Sequence, residues 1–483
     1  MHQHPRQPAA FGYLTALFFL WGFITCLNDL LIPLLKKAFA LSYLEAMLVQ
    51  TAFFGAYFLV SLGYFLLSVT VGDPIARMGY RKGLVLGLAI GALGCLLFYP
   101  AAHFRAYPLF LGALFVLASG ITVIQIAANP YVAILGPAET ASSRLNLAQG
   151  LNSLGYVLAP MIGGFFLLNG GAAQGAEDVQ LPYLGLALSF AVLAVVFFKL
   201  PLPEPIAEGQ QVRDWGLLRE PSLLLGMGAI FCYVGAEVAV GSFFVNYLSL
   251  DGILPAEMVG PAPEGVSAKS HVEGFAKNFL SFYWGGLMIG RFMGAIKLNP
   301  DISPIKKAAY MLGAALAGLL VIYLSASRDW VAGRTLLQLA DVWPYFALVG
   351  LSYGFFVFGG SRAGQMVGFF ALIIVGLLLG AIFLPGRYAM WALIGVGLFN
   401  SVMWSNLFTK AIEGLGKRTA MGSSLLVMMI VGGALVPPAQ GLLADWLHGA
   451  TGSEELGVRY SLLLIMACYV YLAFFGLYRR TAS

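Results

Sequence analysis

The chain has 483 residues, of which 60% are hydrophobic and only 10% charged, and its mean hydropathy is +0.84. Soluble domains carry about 25% charged residues, so a water-soluble fold of this composition could not cover its surface with polar groups. The net charge of +5 does not point to nucleic acid either, because the Lys and Arg residues are spread over many short loops.

Apolar stretches of about 20 residues, each long enough for a ~30 Å hydrocarbon core, recur from end to end. The expected spans are 12–35, 43–70, 83–103, 107–135, 145–169, 182–200, 222–249, 276–297, 306–326, 342–360, 364–385, 388–410, 419–443 and 458–478, fourteen in all. They are continuous rather than alternating, and about twice the length of a barrel strand, which excludes a transmembrane β-barrel. The chain reads as an all-α polytopic membrane protein whose partner is the lipid bilayer. The N-terminal MHQHPRQPAAFGY is too short and polar for a cleavable signal, so the first span is expected to stay in place. All four cysteines fall inside spans, and the five histidines have no ligand spacing, so neither a disulfide framework nor a metal site nor a cofactor is expected.

The first span, FFLWGFITCLNDLLIPLL, places Asn28 and Asp29 near mid-depth. A carboxylate there costs roughly 3 kcal/mol or more to insert, and residues of this kind mark ion paths or proton relays. The loop GDPIARMGYRKG (72–83) is basic and turn-rich, and holds Gly72, Arg77, Gly79 and Arg81. In the fourth and fifth spans stand neutral amides, Gln125 and Asn129, then Gln149 and Asn152, the last two on one helix face. Amides offer donors and acceptors to a polyhydroxylated ligand, and equally serve as glue between helices. Asn129 precedes Pro130 and is read as satisfying carbonyls at a kink. Gln125, Gln149, Asn152 and Asn28 are the substrate-binding candidates of the first half.

Six spans precede PLPEPIAEGQQVRDWGLLREPS (201–222), a polar, proline-rich stretch that reads as a cytoplasmic linker. Placing the N-terminus inside puts the larger share of Lys and Arg on the cytoplasmic side, including Arg77, Arg81, Lys82, Arg144, Lys417, Arg418, Arg479 and Arg480. An even number of spans keeps both termini there. The seventh span holds Glu237, six residues after Phe231, as Asp29 follows Phe23. Either acid could carry a proton or bind a cation. Arg291 is the one basic residue left inside a span, a partner for Glu237 in the structural reading. Trp404, with Asn406 two residues on, joins an aromatic face to an amide in the second half. Gly155, Pro160 and Gly164 repeat as Gly432, Pro437 and Gly441, both reading G-x4-P-x3-G. These echoes suggest two related halves, as in many transporters. The expected organisation is a six-helix bundle over 1–200, the linker 201–221, and a second bundle over 222–483 with two extra helices within about 327–387.

FFLWGFITCLNDLLIP, AANPYVAILGPAETASSRLNLAQGLNSLG, YVGAEVAVGSFFVNYL and GSSLLVMMIVGGALVPPAQG resemble the fucose–galactose–glucose:cation symporters of the major facilitator superfamily. The 72–83 loop resembles that superfamily's signature loop, which implies a gating role for Gly72, Arg77, Gly79 and Arg81, although Ala76 stands where the pattern has Asp, and Asp73 is displaced by three. The resemblance implies two six-helix bundles with pseudo-two-fold symmetry and a rocker-switch cycle around a central sugar site. It places Asp29 on the cation-coupling acid, Gln149 and Asn152 on sugar-contacting amides, and Trp404 on an aromatic of the fucose branch. That branch has Glu at the position of Gln125, whereas Gln fits the glucose/galactose or N-acetylglucosamine transporters. The reading is therefore a non-enzymatic, monomeric hexose importer of the bacterial inner membrane, driven by cation symport with a proton favoured over sodium. An L-fucose:proton symporter, a sugar efflux transporter and a non-transporting sugar sensor are the alternatives.

Overall fold

The computed structural model describes residues 8–39, 43–167, 176–200, 202, 215–262, 267–329, 334–335, 337–360 and 362–478. Side chains at 8–9, 28–34, 36–38, 43–47, 160–167, 176, 178, 328–329 and 334–335 lie outside the description. The long helices of the first half are α1 (Pro8–Ala38), α2 (Tyr43–Thr70), α4 (Tyr80–His103), α5 (Tyr107–Ile134), α6 (Ala141–Leu167) and α7 (Gln180–Lys199), with a short α3 (Pro74–Met78) in the second loop. The second half has α8 (Pro221–Leu248), two short helices α9 (Ala256–Val259) and α10 (Ala268–Ala276), then α11 (Leu280–Lys297), α12 (Pro304–Ala326), α13 (Leu339–Phe358) and α14 (Ala363–Phe383). It ends in α15 (Gly386–Asn400), α16 (Met403–Ile412), α17 (Thr419–Met428), α18 (Gly432–Thr451) and α19 (Glu454–Leu477). A two-residue antiparallel ladder, Arg328–Asp329 with Arg334–Thr335, closes the turn between α12 and α13.

Among the described residues, 12 helical stretches are long and apolar enough to cross a membrane. The two expected spans outside that set are α6 and α11. Of α6 only the N-terminal part has described side chains, and it carries Arg144, Asn146, Gln149 and Asn152, whereas α11 is made polar by Arg291 and Lys297. These two helices are long enough to span, and their polarity is buried by neighbouring helices. On α7 the apolar residues Leu188, Val192, Val195 and Phe198 are exposed along one stripe, and Leu312, Leu316 and Leu320 form another on α12. Water would not tolerate such stripes; lipid tails solvate them.

The contacts divide the chain into two compact units, Met1–Gly228 with Phe408–Ala434, and Ala229–Leu407 with Leu435–Ser483. In the first unit α1 packs on α6, α4 on both α5 and α7, and α2 on α5, while α17 packs on α2 and α5. In the second unit α14 packs on both α15 and α19, and α11 on α15. The α14–α15–α19 group thus repeats the α4–α5–α7 group. Helices α12 and α13 pack chiefly on α11, α15 and each other.

Close approach decides the α1–α6 pair. A Cβ at Gly22 would sit 2.0 Å from the main-chain oxygen of Asn152, and one at Gly155 would sit 2.4 Å from that of Phe19. Only glycine lets these backbones meet, which is how membrane helices gain packing without a hydrophobic drive. Two helices are broken rather than continuous: α15 gives way to α16 at 401–402, and α17 to α18 through a 3₁₀ turn, Met429–Val431.

Candidate functional site

In the first unit, the amides of α5 and α6 are buried and engaged with α1 and α2. Gln125 is 2% exposed, and its Nε2 donates to the hydroxyl of Tyr57 on α2 at 2.9 Å. The Trp21 side chain of α1 lies beside the same hydroxyl. Asn129 donates from Nδ2 to the main-chain carbonyl of Gln125 at 3.1 Å, one turn back, as expected beside Pro130. Asn152 donates from Nδ2 to the carbonyl of Phe18 at 3.0 Å, and the rings of Phe18 and Trp21 lie 5.1 Å apart. Gln149, one turn before Asn152 on α6, is buried as well. The structure therefore gathers Gln125, Asn152, Trp21 and Tyr57 around one stretch of α1. Asn28 and Asp29 lie further along that helix but outside the described side chains.

The second unit holds a buried ionic network. Glu237 accepts at Oε2 from the hydroxyl of Tyr233 and from Nδ2 of Asn400, the latter at 2.9 Å. Arg291 donates from Nη2 to the Tyr233 hydroxyl at 3.4 Å, and from Nε to the carbonyl of Ser401 at 3.2 Å. Tyr469 donates to Oδ1 of Asn400 at 2.9 Å, and Tyr283 to the main-chain carbonyl of Glu237 at 3.2 Å. The α15–α16 break lies in this network, and Arg291 satisfies a carbonyl that the break frees. Trp404 packs its ring 6.4 Å from that of Tyr233. Trp404 is 6% exposed and Asn406 fully buried, so Asn406 meets a ligand only if its surroundings move.

The gating candidates build a compact turn between α2 and α4. Gly72 and Gly79 have φ of 117° and 87°, the left-handed range that glycine tolerates. Between them Asp73 caps α3, accepting from the main-chain N–H groups of Ile75 at 2.9 Å and Ala76 at 3.2 Å and from the Tyr64 hydroxyl. Burial raises its carboxyl above the ordinary value, and the bonds from Tyr64, Ala76 and Ile75 partly offset this. Arg77 donates to the carbonyl of Val71, and Arg81 to that of Leu200 at 3.2 Å, tying this turn to the end of α7. Among the described residues no three His, Cys, Asp or Glu side chains gather where one cation could be held.

The pattern of the Major Facilitator Superfamily matches residues 9–363. The chain belongs to that superfamily. Within it, the relatives are those of the fucose–galactose–glucose:cation symporter family. The "Glucose/galactose transporter" of Brucella abortus biovar 1 (strain 9-941) is 40% identical, over 99% of this chain and 96% of its own. The "Putative glucose/galactose transporter" of Helicobacter pylori (strain J99 / ATCC 700824) is 37% identical, over 98% of both chains. Among solved structures, a single-residue variant of the Escherichia coli Fucose:proton symporter, FucP, superposes with a TM-score of 0.70 at 26% identity, covering 98% of each chain. The chain is thus a multi-pass membrane protein with the major facilitator superfamily fold.

Sequence reasoning overlooked Tyr57, Tyr233, Asn400 and Tyr469 as site residues of this superfamily member. Each stands in an apolar run where a tyrosine or lone amide reads as filler. The available signal was polarity at mid-span, the same signal that singled out Gln125 and Glu237.

Proposed function

We propose that the chain is a secondary active transporter that imports a hexose of the glucose/galactose or N-acetylglucosamine type by cation symport. The observation that carries this reading is the buried set of neutral hydrogen-bonding groups, Gln125, Gln149 and Asn152 with Trp21 and Tyr57, inside a membrane domain. Such a set can exchange its internal bonds for those of sugar hydroxyls, while the indole offers an apolar face to the ring. The names of the glucose/galactose relatives support the substrate class. Trp404, Asn406 and Asn28 are assigned to the same ligand, and the Gly72–Arg81 turn to the cytoplasmic gate.

Asp29 is the coupling acid, with a proton favoured over sodium. Gln125 cannot titrate, so the first unit offers no second acid beside it on α5. A charge moving across the membrane gains about 2.3 kcal/mol per 100 mV, enough for roughly fifty-fold accumulation of a neutral sugar at one cation per sugar. The termini face the cytoplasm of a bacterial cell by the distribution of Lys and Arg, and the protein acts as a monomer. Two extra helices within about 327–387 complete the second bundle, in the stretch that carries α13 and α14.

Uptake into proteoliposomes tests this, using glucose, galactose, fucose and N-acetylglucosamine under imposed proton or sodium gradients. The expected result is glucose or galactose accumulation driven by the proton gradient. Asp29→Asn is expected to abolish accumulation while leaving counterflow exchange. Accumulation that survives Asp29→Asn removes the coupling role, and the absence of any sugar exchange removes the substrate class.

A further inference from the structure

Four helix ends come together where α11 turns into α12 and α13 into α14. Lys297, the last residue of α11, is 8% exposed, and its Nζ donates to the main-chain carbonyl of Val357, in the last turn of α13, at 3.0 Å. Lys307, in the first turn of α12, reaches back and donates from Nζ to the carbonyl of Lys297 at 2.9 Å. The Tyr353 hydroxyl of α13 donates to the carbonyl of Ala308 on α12 at 3.1 Å, which ties the helices at this end. Lys306 is exposed next to Lys307, and Arg362, also exposed, stands at the start of α14.

The charge at this end does not balance. Within 297–307 and 357–364 the sequence has four basic residues and one acidic, Asp301. Among the described residues no carboxylate pairs with Lys297, Lys306 or Lys307. The carbonyl ends of α11 and α13 each offer about half a negative charge, but α12 and α14 begin after short turns, and their N-terminal ends offset it. A lysine as buried as Lys297 is almost never left without a counter-anion. Each ammonium has three donors, and its one carbonyl partner does not neutralise it. Neither Ser303 nor Arg362 caps its helix through its side chain, so the opening N–H groups of α12 and α14 lack that partner too. Beyond the lysines the exposed face of α12 is apolar, with Ile305 (84% exposed), Leu312, Leu316 and Leu320 at helical spacing.

We propose that this end of α11–α14 binds an anionic phospholipid, its phosphate held by Lys297, Lys306 and Lys307 and an acyl chain lying along the apolar stripe of α12. A lipid fits better than a soluble anion because the basic cluster and the stripe are continuous on one helix, and that stripe faces hydrocarbon. Basic pockets between membrane helices take lipid headgroups in this way. The proposal needs only the membrane fold, and it stands whether or not a sugar is carried.

The test is native mass spectrometry of the full chain in detergent, with phosphatidylglycerol and phosphatidylcholine of the same acyl chains offered in equal amounts. Melting temperatures are read in the same mixtures. The wild type is expected to retain phosphatidylglycerol in preference and to melt higher in its presence. Lys306→Gln with Lys307→Gln should weaken that retention about 25-fold, roughly five-fold per lysine, and abolish the melting shift. Lys306→Gln alone, at an exposed position, should show the single five-fold step, which keeps the test open if Lys307→Gln disturbs folding. Removing two exposed lysines elsewhere, Lys199→Gln with Lys277→Gln, should change neither readout. Equal retention of the two lipids by the wild type overturns the proposal. An equal loss in the Lys199 and Lys277 variant also overturns it, in favour of general surface charge. If inorganic phosphate protects as well as phosphatidylglycerol, the occupant is a soluble anion and the lipid proposal fails. A dimer that forms without lipid and is broken by the Lys306 and Lys307 variant would overturn it in favour of a second copy of this chain.

Discussion

Asn152 of α6 donates its side-chain amide to the main-chain carbonyl of Phe18 in α1 at 3.0 Å, across a helix crossing that only Gly22 and Gly155 make possible. The bond satisfies a carbonyl already used by its own helix, so its effect is to fix α1 in rotation as well as distance. Gly22 lies two turns before Asp29 on the same helix. Whatever sets the α1–α6 crossing therefore also sets where Asp29 sits.

Gly22→Ala is expected to be more damaging than Asn152→Ala. The new methyl would meet main-chain oxygen at 2.0 Å, a contact no rotamer change relieves, and overpacking of this kind costs about 1–3 kcal/mol or more. Removing the Asn152 amide forfeits one interhelical bond, worth about 0.6–2 kcal/mol in membranes. Thermal unfolding in detergent should rank wild type above Asn152→Ala above Gly22→Ala. A Gly22→Ala protein as stable as wild type would refute the crossing geometry.

Asp73 gives a pH signature. Its folded-state carboxyl titrates above the ordinary value of 3.8, chiefly through burial, so the folded state favours the protonated form. The stabilising contribution is fully present below that ordinary value and is lost as pH rises through the raised one. Asp73→Asn keeps the cap but does not titrate. It should match wild type in acid and exceed it in stability as pH climbs above the raised value. Asp73→Ala loses the cap and should cost about 1 kcal/mol. Melting curves of the three proteins across pH decide it; a wild type that gains on Asp73→Asn with rising pH would contradict the sign.

Glu220 and Arg418 form an ion pair at 2.7 Å, with side chains only 26% and 22% exposed. It ties the start of α8 to the turn before α17, inside the first unit. Reversing either charge should lower the melting temperature, and the swapped pair Glu220→Arg with Arg418→Glu should recover most of the loss. The coupling expected from such a cycle is about 1 kcal/mol, given partial solvent screening. Additive losses in the double variant would mean that the pair contributes nothing.

The spans were legible because a bilayer demands long apolar runs whatever the tertiary packing. The expected spans 342–360 and 364–385 are α13 and α14, and even polar α6 and α11 were found, since length and flanks carried them. The breaks in the helices were not legible. No Pro or Gly marks 401–402; there the Ser401 hydroxyl bonds back to the carbonyl of Leu398 at 2.7 Å, and Arg291 takes the freed carbonyl of Ser401 from another helix. Polarity at mid-span singled out Gln125 and Glu237, yet the tyrosines that complete their bonds read as filler in apolar runs. Which face of a helix a tyrosine occupies relative to its neighbours depends on rotation about the helix axis, and that is set by contacts distant in sequence.

The bond from Gln125 to Tyr57 supports a last prediction. Both side chains are 2% exposed, so neither can turn to water if the other is removed. Gln125→Leu would take from the buried Tyr57 hydroxyl its bond to Gln125 and cost about 1–3 kcal/mol, while removing one amide from the proposed sugar set. Gln125→Glu keeps the shape but reverses the bond, because Tyr57 must then donate to the carboxylate. It also places a second titratable group beside α1. The pH profile of proton-driven uptake should then gain one further transition over wild type, whereas Gln125→Leu should lower uptake without changing the shape of the profile. If Gln125→Glu shows the wild-type profile, the group at this position does not take part in the proton path, and the amide serves the sugar or the fold alone.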